Sequence, residues 1–419
     1  MNEVKSETQS IQYWVGIDWG ESEHAVAVVD ERRNVLQQFK LAASLEALQD
    51  LAVRLHALKF VAGIAIESTR NPILPFLLGE GFTIFPVNPK LSAHWREGNS
   101  VGGVKNDARD GLVLALELSR RHESLRTCTP NEAAAELSGL CETLRDLIDQ
   151  RTALLQRLKA TIRQYYPGAM EFFSDWSSPV AWRFLKKFPN PAKLSRTQKS
   201  TLIQFLKANR IGLKPLWLER IERRKTASQW PLPDDAAALE IMALATIAQL
   251  QALQPHIEKL DDLIDERNKK SPQAQLMKSL PGAGPRMAPA LTAIAETVLH
   301  EKDRLQALRG LSGVAPVEKQ SGKSRRVKIR RRCNKHWRNI MHLFARCSIA
   351  SCRWAKTYYN LCRERGDRYA SALRKLADKW LKIIDRMLDT GEAYDDDRYV
   401  NALKKNGSPV YKKLCEKNC

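Results

Sequence analysis

Apolar positions follow two rhythms along the chain, and the rhythms divide it. Near the start they come as short runs. Val15-Gly16-Ile17 leads into Asp18, Gly20 follows, an acidic turn holds Glu21 and Glu23, and Ala25 to Val29 is apolar again. This predicts a strand, a turn and a second strand. Val35 to Phe39 predicts a third strand, and Leu45, Leu48, Leu51, Leu55 and Leu58 then recur at helical spacing. Phe60 to Ile66 is continuously apolar, as expected of a strand covered on both faces, and it ends in Glu67-Ser68-Thr69. Pro72 opens a helix through Leu78 that Gly79 and Gly81 close, Thr83 to Val87 is a further strand, and Leu112, Leu116 and Leu118 mark another helix.

Three strands, then helix, strand, helix, strand, helix is the order of a ribonuclease-H-like α/β domain, an antiparallel meander followed by strand–helix units. The expected domain spans residues 11–128. In that order Asp18 and Glu67 end neighbouring strands and face one cleft. Asp107 and Asp110, three apart at a helix start, share one helical face. Taken singly, each acid is better explained structurally: Asp18 as an ordinary strand end, Glu67 as a cap of the next helix, and Asp107 and Asp110 as acids that favour a helix N-terminus. Together they predict four converging carboxylates, which would repel one another unless cations were bound. Two Mg²⁺ ions would satisfy them and could clamp both oxygens of a phosphoryl transfer. Between these acids, Arg96 to Lys105 is rich in glycine and partly basic, and reads as a flexible connection.

The second rhythm is helical and long. Leu137, Leu140, Leu144, Leu147, Leu154, Leu158 and Ile162 repeat at three- and four-residue spacing, with Arg151 breaking one seam position. Leu239, Met242, Leu250, Leu253, Ile257, Leu260 and Ile264 repeat the pattern. The pair predicts a helical coiled-coil region over residues 130–272, as a hairpin, a subunit contact or both. Residues 165–233 interrupt it as a small helical insertion with Trp176, Trp182, Trp217 and Trp230 among many basic residues. Such tryptophans are expected to form a core, although a basic and aromatic mixture can also stack on nucleic acid.

Charge selects among the function classes. The 419 residues carry a formal net charge of +21, which favours a polyanionic partner, nucleic acid above all. The first ten residues are polar with no apolar segment behind them, and the longest clean apolar runs are too short to span a bilayer, so a cytoplasmic protein without a membrane partner is expected. Eight cysteines occur without any C-x-x-C pair, which gives little support to zinc and predicts free thiols. A sugar-kinase reading would need a second glycine-rich phosphate turn and an adenosine pocket, and the sequence contains neither signal.

The densest charge lies in a third, mostly helical region, residues 273–390, ahead of a tail at 391–419. Leu280-Pro281-Gly282-Ala283-Gly284-Pro285 resembles a helix-hairpin-helix turn, in which Gly282 and Gly284 would let backbone N–H groups approach a DNA phosphate. From Lys319 to Lys335 there are nine basic residues and no acidic one: Lys319, Lys323, Arg325, Arg326, Lys328, Arg330, Arg331, Arg332 and Lys335. They are expected to form a loop that grips the nucleic-acid backbone. Ser321 in this positive stretch is placed to meet a phosphate, but composition does not choose it over Ser312 or Ser324.

The ordered set V-G-I-D-W-G, I-A-I-E-S-T-R-N, V-K-N-D-A-R-D, L-P-G-A-G-P, G-L-S-G-V-A-P and E-K-Q-S-G-K-S resembles the insertion-sequence-110 family of DEDD transposases from about Trp14 to about Cys352. The resemblance implies a RuvC-like domain, a coiled coil and a small transposase domain. Its four acids map onto Asp18, Glu67, Asp107 and Asp110, and its nucleophilic serine maps onto Ser321. It implies a site-specific recombinase acting on donor and target DNA. Ser321 would form a covalent phosphoserine–DNA intermediate with help from Mg²⁺, at a composite site in a homo-oligomer such as a dimer or tetramer. It further implies guidance by an element-encoded RNA. A RuvC-like, metal-dependent nuclease that uses water is the alternative. The insertion at 165–233 and the tail after about Asp389 exceed a minimal member.

Overall fold

The computed structural model describes residues 12–58, 60–67, 72–99, 107–128, 132–173, 175–229, 231–321, 324–331 and 333–416. In its first part the elements run β1 (Tyr13–Trp19), β2 (Glu23–Asp30), β3 (Val35–Ala42), α1 (Leu45–His56), β4 (Val61–Ile66), α2 (Ile73–Gly79), β5 (Ile84–Pro86), α3 (Pro89–Asn99) and α4 (Asp107–Arg121). The five strands form one mixed sheet in the order β3-β2-β1-β4-β5. β1 pairs antiparallel with β2 and parallel with β4, and β4 pairs parallel with β5.

Both faces of this sheet are covered, which explains why its central strands are apolar without alternation. On one face Val15, Ile17, Val26, Val28, Ile64 and Ile66 pack against Leu48, Leu51 and Leu55 of α1 and Ile73 and Leu77 of α2. On the other, Trp14, Ala27, Val29, Ala65 and Phe85 pack against Trp95 of α3 and Val113, Leu114 and Leu118 of α4. Ser44 caps α1, its side chain accepting from the Ala47 N–H at 3.2 Å.

α4 crosses the sheet at glycine. A Cβ built on Gly16 would stand 2.1 Å from the Gly111 carbonyl oxygen, and one on Gly111 would stand 2.7 Å from that of Ala25. The helix can approach β1 and β2 only because both side chains are missing. Gly16→Ala is therefore expected to destabilise the protein by about 3 kcal/mol, the upper range for forced overpacking, because the obstructing atoms are backbone. Chemical denaturation measures this, and an unchanged midpoint would mean that α4 can back away freely.

The rest of the chain is mostly helical: α5 (Glu132–Tyr165), α6 (Pro179–Lys187), α7 (Pro191–Arg196), α8 (Lys199–Ala208), α9 (Pro215–Glu222), α10 (Ala236–Lys269), α11 (Ala274–Lys278), α12 (Met287–Val298), α13 (Arg304–Leu311), the ribbon β6 (Val317–Ser321) and β7 (Ser324–Lys328), then α14 (Lys335–Ser351), α15 (Arg353–Glu364), α16 (Tyr369–Thr390), α17 (Asp396–Lys405) and α18 (Pro409–Glu416). Two compact units result. One holds residues 1–132 together with 309–338, and the other holds 133–308 with 339–419.

α5 and α10 run antiparallel. Arg151 donates to Gln254 at 3.2 Å and Arg267 to Glu136 at 2.9 Å, while Leu158 and Ile162 share a core with Ala243, Ile247 and Leu250. Arg151, the break in the apolar seam, thus finds a polar partner on the facing helix. α10 is the one helix among the described residues long and apolar enough, by length and composition, to cross a membrane. In the sequence Glu240, Gln249 and Gln251 interrupt its apolar run.

The segment after Asp389 packs into the second unit. Trp354 donates its indole N–H to the Tyr394 hydroxyl at 2.7 Å, Tyr394 donates to Asp396 at 2.7 Å, and the Tyr399 ring lies 4.5 Å from that of Trp354. Cysteines among the described residues are free thiols, and burial pushes the Cys352 thiol up to about 12, so it stays protonated at neutral pH.

Candidate active site

β1 and β4 lie side by side in parallel register, with Gly16 opposite Ala65 and Ile17 opposite Ile66. Asp18 and Glu67 are each the next residue along. Ile17 and Ile66 point into the core shared with α1 and α2, so strand alternation turns Asp18 toward the α3 and α4 side. Glu67, just past the end of β4, reaches the same side. Asp110 comes to this place from α4, which the Gly16–Gly111 contact seats against β1. Its carboxylate is 6 % exposed.

A single cation joins two of these acids. Arg96 Nη1 lies 3.2 Å from Glu67 Oε2 and 3.1 Å from Asp110 Oδ2. The glycine-rich surroundings of Arg96 predict a flexible connection, but Arg96 does not belong to one, because α3 continues through Asn99. The helix forms because Trp95 buries beneath it against Phe85, Val87 and α4, an anchor that glycine content does not reveal. The remainder of that connection, residues 100–106, lies outside the described residues.

Asp107 is the first residue of α4, three positions before Asp110. Among the described residues no three acidic, histidine or cysteine side chains gather closely enough to hold a metal ion. Even so, a guanidinium held by Glu67 and Asp110 at hydrogen-bond distance stands in for a cation, and a set of hard carboxylate oxygens suits Mg²⁺. The donor chemistry of Glu67 and Asp110 therefore suits a divalent ion. His24, by contrast, stacks on Trp19 with ring centroids 3.8 Å apart. Burial lowers its pKa and keeps it neutral at pH 7, a packing role at the turn.

The three candidate serines are treated differently. Ser312 is fully buried. Ser321 ends β6 and pairs with Ser324, which starts β7, so the two flank the tip of the ribbon. The stretch expected as a loop is thus an antiparallel ladder, with Lys319 opposite Arg326, Gln320 opposite Arg325 and Val317 opposite Lys328. Arg330 donates to the Ala315 carbonyl, Arg331 and Lys335 are exposed, and Lys323 and Arg332 lie outside the described residues. The compact unit that holds the sheet also contains this ribbon.

In the other unit, Gly282 takes φ +86°, and a Cβ there would meet the Cys347 carbonyl carbon at 2.9 Å and the Ser348 nitrogen at 3.0 Å. Its glycine is required by close approach to α14. Space around Gly284 is open, and its carbonyl accepts from the N–H groups of Met287 and Ala288 as α12 begins.

Two family models match the chain, and together they cover more than half of it. Residues 15–167 match the DEDD model of IS110 elements, described as a transposase, and residues 274–360 match the transposase IS116/IS110/IS902 family. Three relatives align along nearly their whole length. The mini-circle putative transposase for IS117 of Streptomyces coelicolor is 27 % identical over 93 % of this chain and 97 % of its own. A 44.8 kDa protein of insertion element IS116 from Streptomyces clavuligerus is 26 % identical over 91 % and 96 %. A 42 kDa protein of IS900 from Mycobacterium paratuberculosis is 24 % identical over 91 % and 96 %. The DEDD match suggests an RNase H-like fold for the mixed sheet and, for such enzymes in general, dependence on a divalent metal. With the acid-bearing sheet inside the first match and much of the helical C-terminal part inside the second, the chain belongs to the IS110 family of transposases, enzymes that act on DNA.

Proposed function

We propose that this transposase is a site-specific recombinase in which Asp18, Glu67, Asp107 and Asp110 form the metal-binding half of the site and Ser321 is the nucleophile. The observation that carries the reading is the convergence of Asp18, Glu67 and Asp110 on one side of the sheet, two from adjacent strand ends and one from the helix that crosses them. The sheet is then RuvC-like, residues 11–128. The antiparallel α5–α10 pair is the coiled-coil region, residues 130–272, and residues 273–390 form the basic transposase region.

The Ser321 oxygen attacks a backbone phosphorus. A new O–P bond forms as the bond to one bridging oxygen breaks, the hydroxyl proton leaves, and the departing oxygen gains one. The phosphodiester count is conserved, so no energy cofactor is needed and religation to another strand can follow. Bound Mg²⁺ supplies Lewis-acid stabilisation of charge on the phosphate. Lys319, Lys323, Arg325, Arg326, Lys328, Arg330, Arg331, Arg332 and Lys335 hold the DNA backbone near the serine, and Gly282 and Gly284 would admit a further phosphate at the start of α12. The test is to trap protein–DNA adduct on end-labelled DNA and map the attached residue. A linkage at Ser321 supports the mechanism, and cleavage without any adduct favours a water-using nuclease.

An element-encoded guide RNA and a homo-oligomer, dimer or tetramer, complete the proposal, in the cytoplasm. The +21 charge supports a combined RNA and DNA load. α10 supports self-association, with Ile241 69 % exposed and Met242 and Leu263 also exposed. Sequencing RNA co-purified with the protein decides the first point: a defined RNA from the flanks of its own gene supports guidance, and random cellular RNA opposes it.

Arg96 competes with metal in this scheme, because it holds two of the carboxylates that a cation would need. Arg96→Ala is expected to lower stability without metal by about 1–3 kcal/mol, less than a fully buried pair because the guanidinium is partly exposed. It should also enlarge the rise in Tm on adding Mg²⁺, since no guanidinium has to be displaced. Equal Mg²⁺-induced shifts in the variant and the natural protein would count against competition.

A further inference from the structure

The helical insertion between α5 and α10 has an aromatic interior and a cationic exterior. Trp176, Trp182, Phe184, Phe188 and Phe205 are buried together, so they form a core and offer no platform for bases. Trp217 is only half-buried, but Arg220 lies over its ring at 4.9 Å. Trp230 lies outside the described residues. From Arg183 to Lys225 the chain carries thirteen Lys and Arg against two acids, Glu219 and Glu222. Both acids are already paired, with Arg223 and Lys199. A large share of the excess charge of the whole protein therefore sits on this one small subdomain.

One part of its surface is built rather than merely charged. Arg183 of α6 donates to Asn209, the residue that ends α8, at 2.6 Å. One turn along α6, Lys187 lies 5.8 Å above the Phe205 ring of α8. Beside Asn209, Arg210 adopts φ +57°, left-handed backbone that a side chain disfavours. The Arg210 N–H bonds to the Lys207 carbonyl and the Ile211 N–H to that of Leu206, both at 2.9 Å. This is a Schellman ending to α8, in which the left-handed position usually belongs to glycine. An exposed arginine here works against the fold, and such strain is retained where the side chain has a task.

We infer that the α6–α8 surface around Arg183, Lys187, Lys207 and Arg210 is a second nucleic-acid contact, separate from the β6–β7 ribbon, that grips the phosphate backbone of a duplex. Cations over a closed aromatic core match phosphates on a regular double strand, whereas single strands call for exposed rings. The inference rests on the proposal that the chain handles DNA and a structured RNA.

The test measures equilibrium binding by the full chain in EDTA on a Ser321→Ala background, using short DNA and RNA duplexes of matched length. Chemistry is then silent, so a wrong nucleophile leaves the experiment intact. The triple variant Lys187→Gln/Lys207→Gln/Arg210→Gly should bind about tenfold to a hundredfold more weakly on at least one duplex. Its log–log salt slope between about 50 and 200 mM should fall by about 2 to 3, close to 0.9 per lost phosphate contact. The duplex that responds identifies the ligand as DNA or RNA. Unchanged affinity and slope on both, with the parent protein binding normally, would overturn the inference. If the parent itself bound neither duplex, the underlying nucleic-acid reading would fall as well. Arg210→Gly alone should raise Tm while weakening binding. A higher Tm with unaltered binding would leave the arginine without its proposed task and overturn its place in the contact.

Discussion

Ser321→Ala is expected to abolish covalent protein–DNA adduct and recombination, with a loss of about 10⁴-fold or more, as when a covalent nucleophile is deleted. DNA binding should survive. The residue ends β6 beside the tip of a two-stranded ribbon, and alanine keeps the backbone ladder opposite Ser324. Ser324→Ala is the necessary companion, because the two serines are paired in the backbone register at the tip and composition does not separate them. Ser312 needs no such control as a nucleophile, because full burial keeps it from a phosphate. The measurement is a denaturing gel of labelled DNA, with and without protease. Adduct that persists in Ser321→Ala and vanishes in Ser324→Ala would move the nucleophile by three residues. Strand cleavage that continues in both variants, with no adduct, would sink the serine mechanism and leave a nuclease.

The second large effect is expected at the carboxylates. Asp18→Asn and Glu67→Gln, tested separately, should each reduce adduct formation by about 10³-fold, the scale on which removal of preorganised charge stabilisation lowers rates. Both keep the size of the side chain, and neither position lies within an apolar core, so the sheet should fold normally. Single-turnover adduct formation across a Mg²⁺ titration gives the readout. If the acids hold the metal, higher Mg²⁺ recovers part of the lost rate and duplex binding in EDTA is unaltered. Full activity of Asp18→Asn would remove the β1 acid from the site. Glu67→Gln carries a second reading, because it also weakens the hold on Arg96. A larger Mg²⁺-induced rise in Tm for Arg96→Ala, without the same gain in Glu67→Gln, would separate the ligand from its competitor.

Much of this arrangement was legible in the order of the chain. Val15 to Ile17 and Gly63 to Ile66 are apolar because helices cover both faces of their sheet, and each run stops at an acid where its strand leaves the core. Arg96 was not legible. Its role depends on α3 lying across the sheet with Trp95 beneath it, a long-range contact that no local periodicity reports. The insertion shows the same limit from the other side. Its aromatic and basic residues are interleaved in sequence, and folding sorts the rings inward and the cations outward. Tyr394 and Tyr399 look like part of a loose tail until Trp354 and Trp380 are seen to receive them.

The sequence by itself determined the strands and their order along the chain, the acids at the strand ends, the two long helices and the run of basic charge, but not that this run folds as a ribbon. Each of these is written in neighbouring residues, through side-chain period, Gly and Pro punctuation and runs of charge. Only the tertiary structure decided that Arg96 bridges Glu67 and Asp110, that Ser312 is buried, and that Arg210 is held in a strained turn beside Arg183. The physical reason is that these are properties of packing. A guanidinium between two carboxylates, a hydroxyl shut away from solvent and a helix ended without its usual glycine all depend on residues brought together from separate elements.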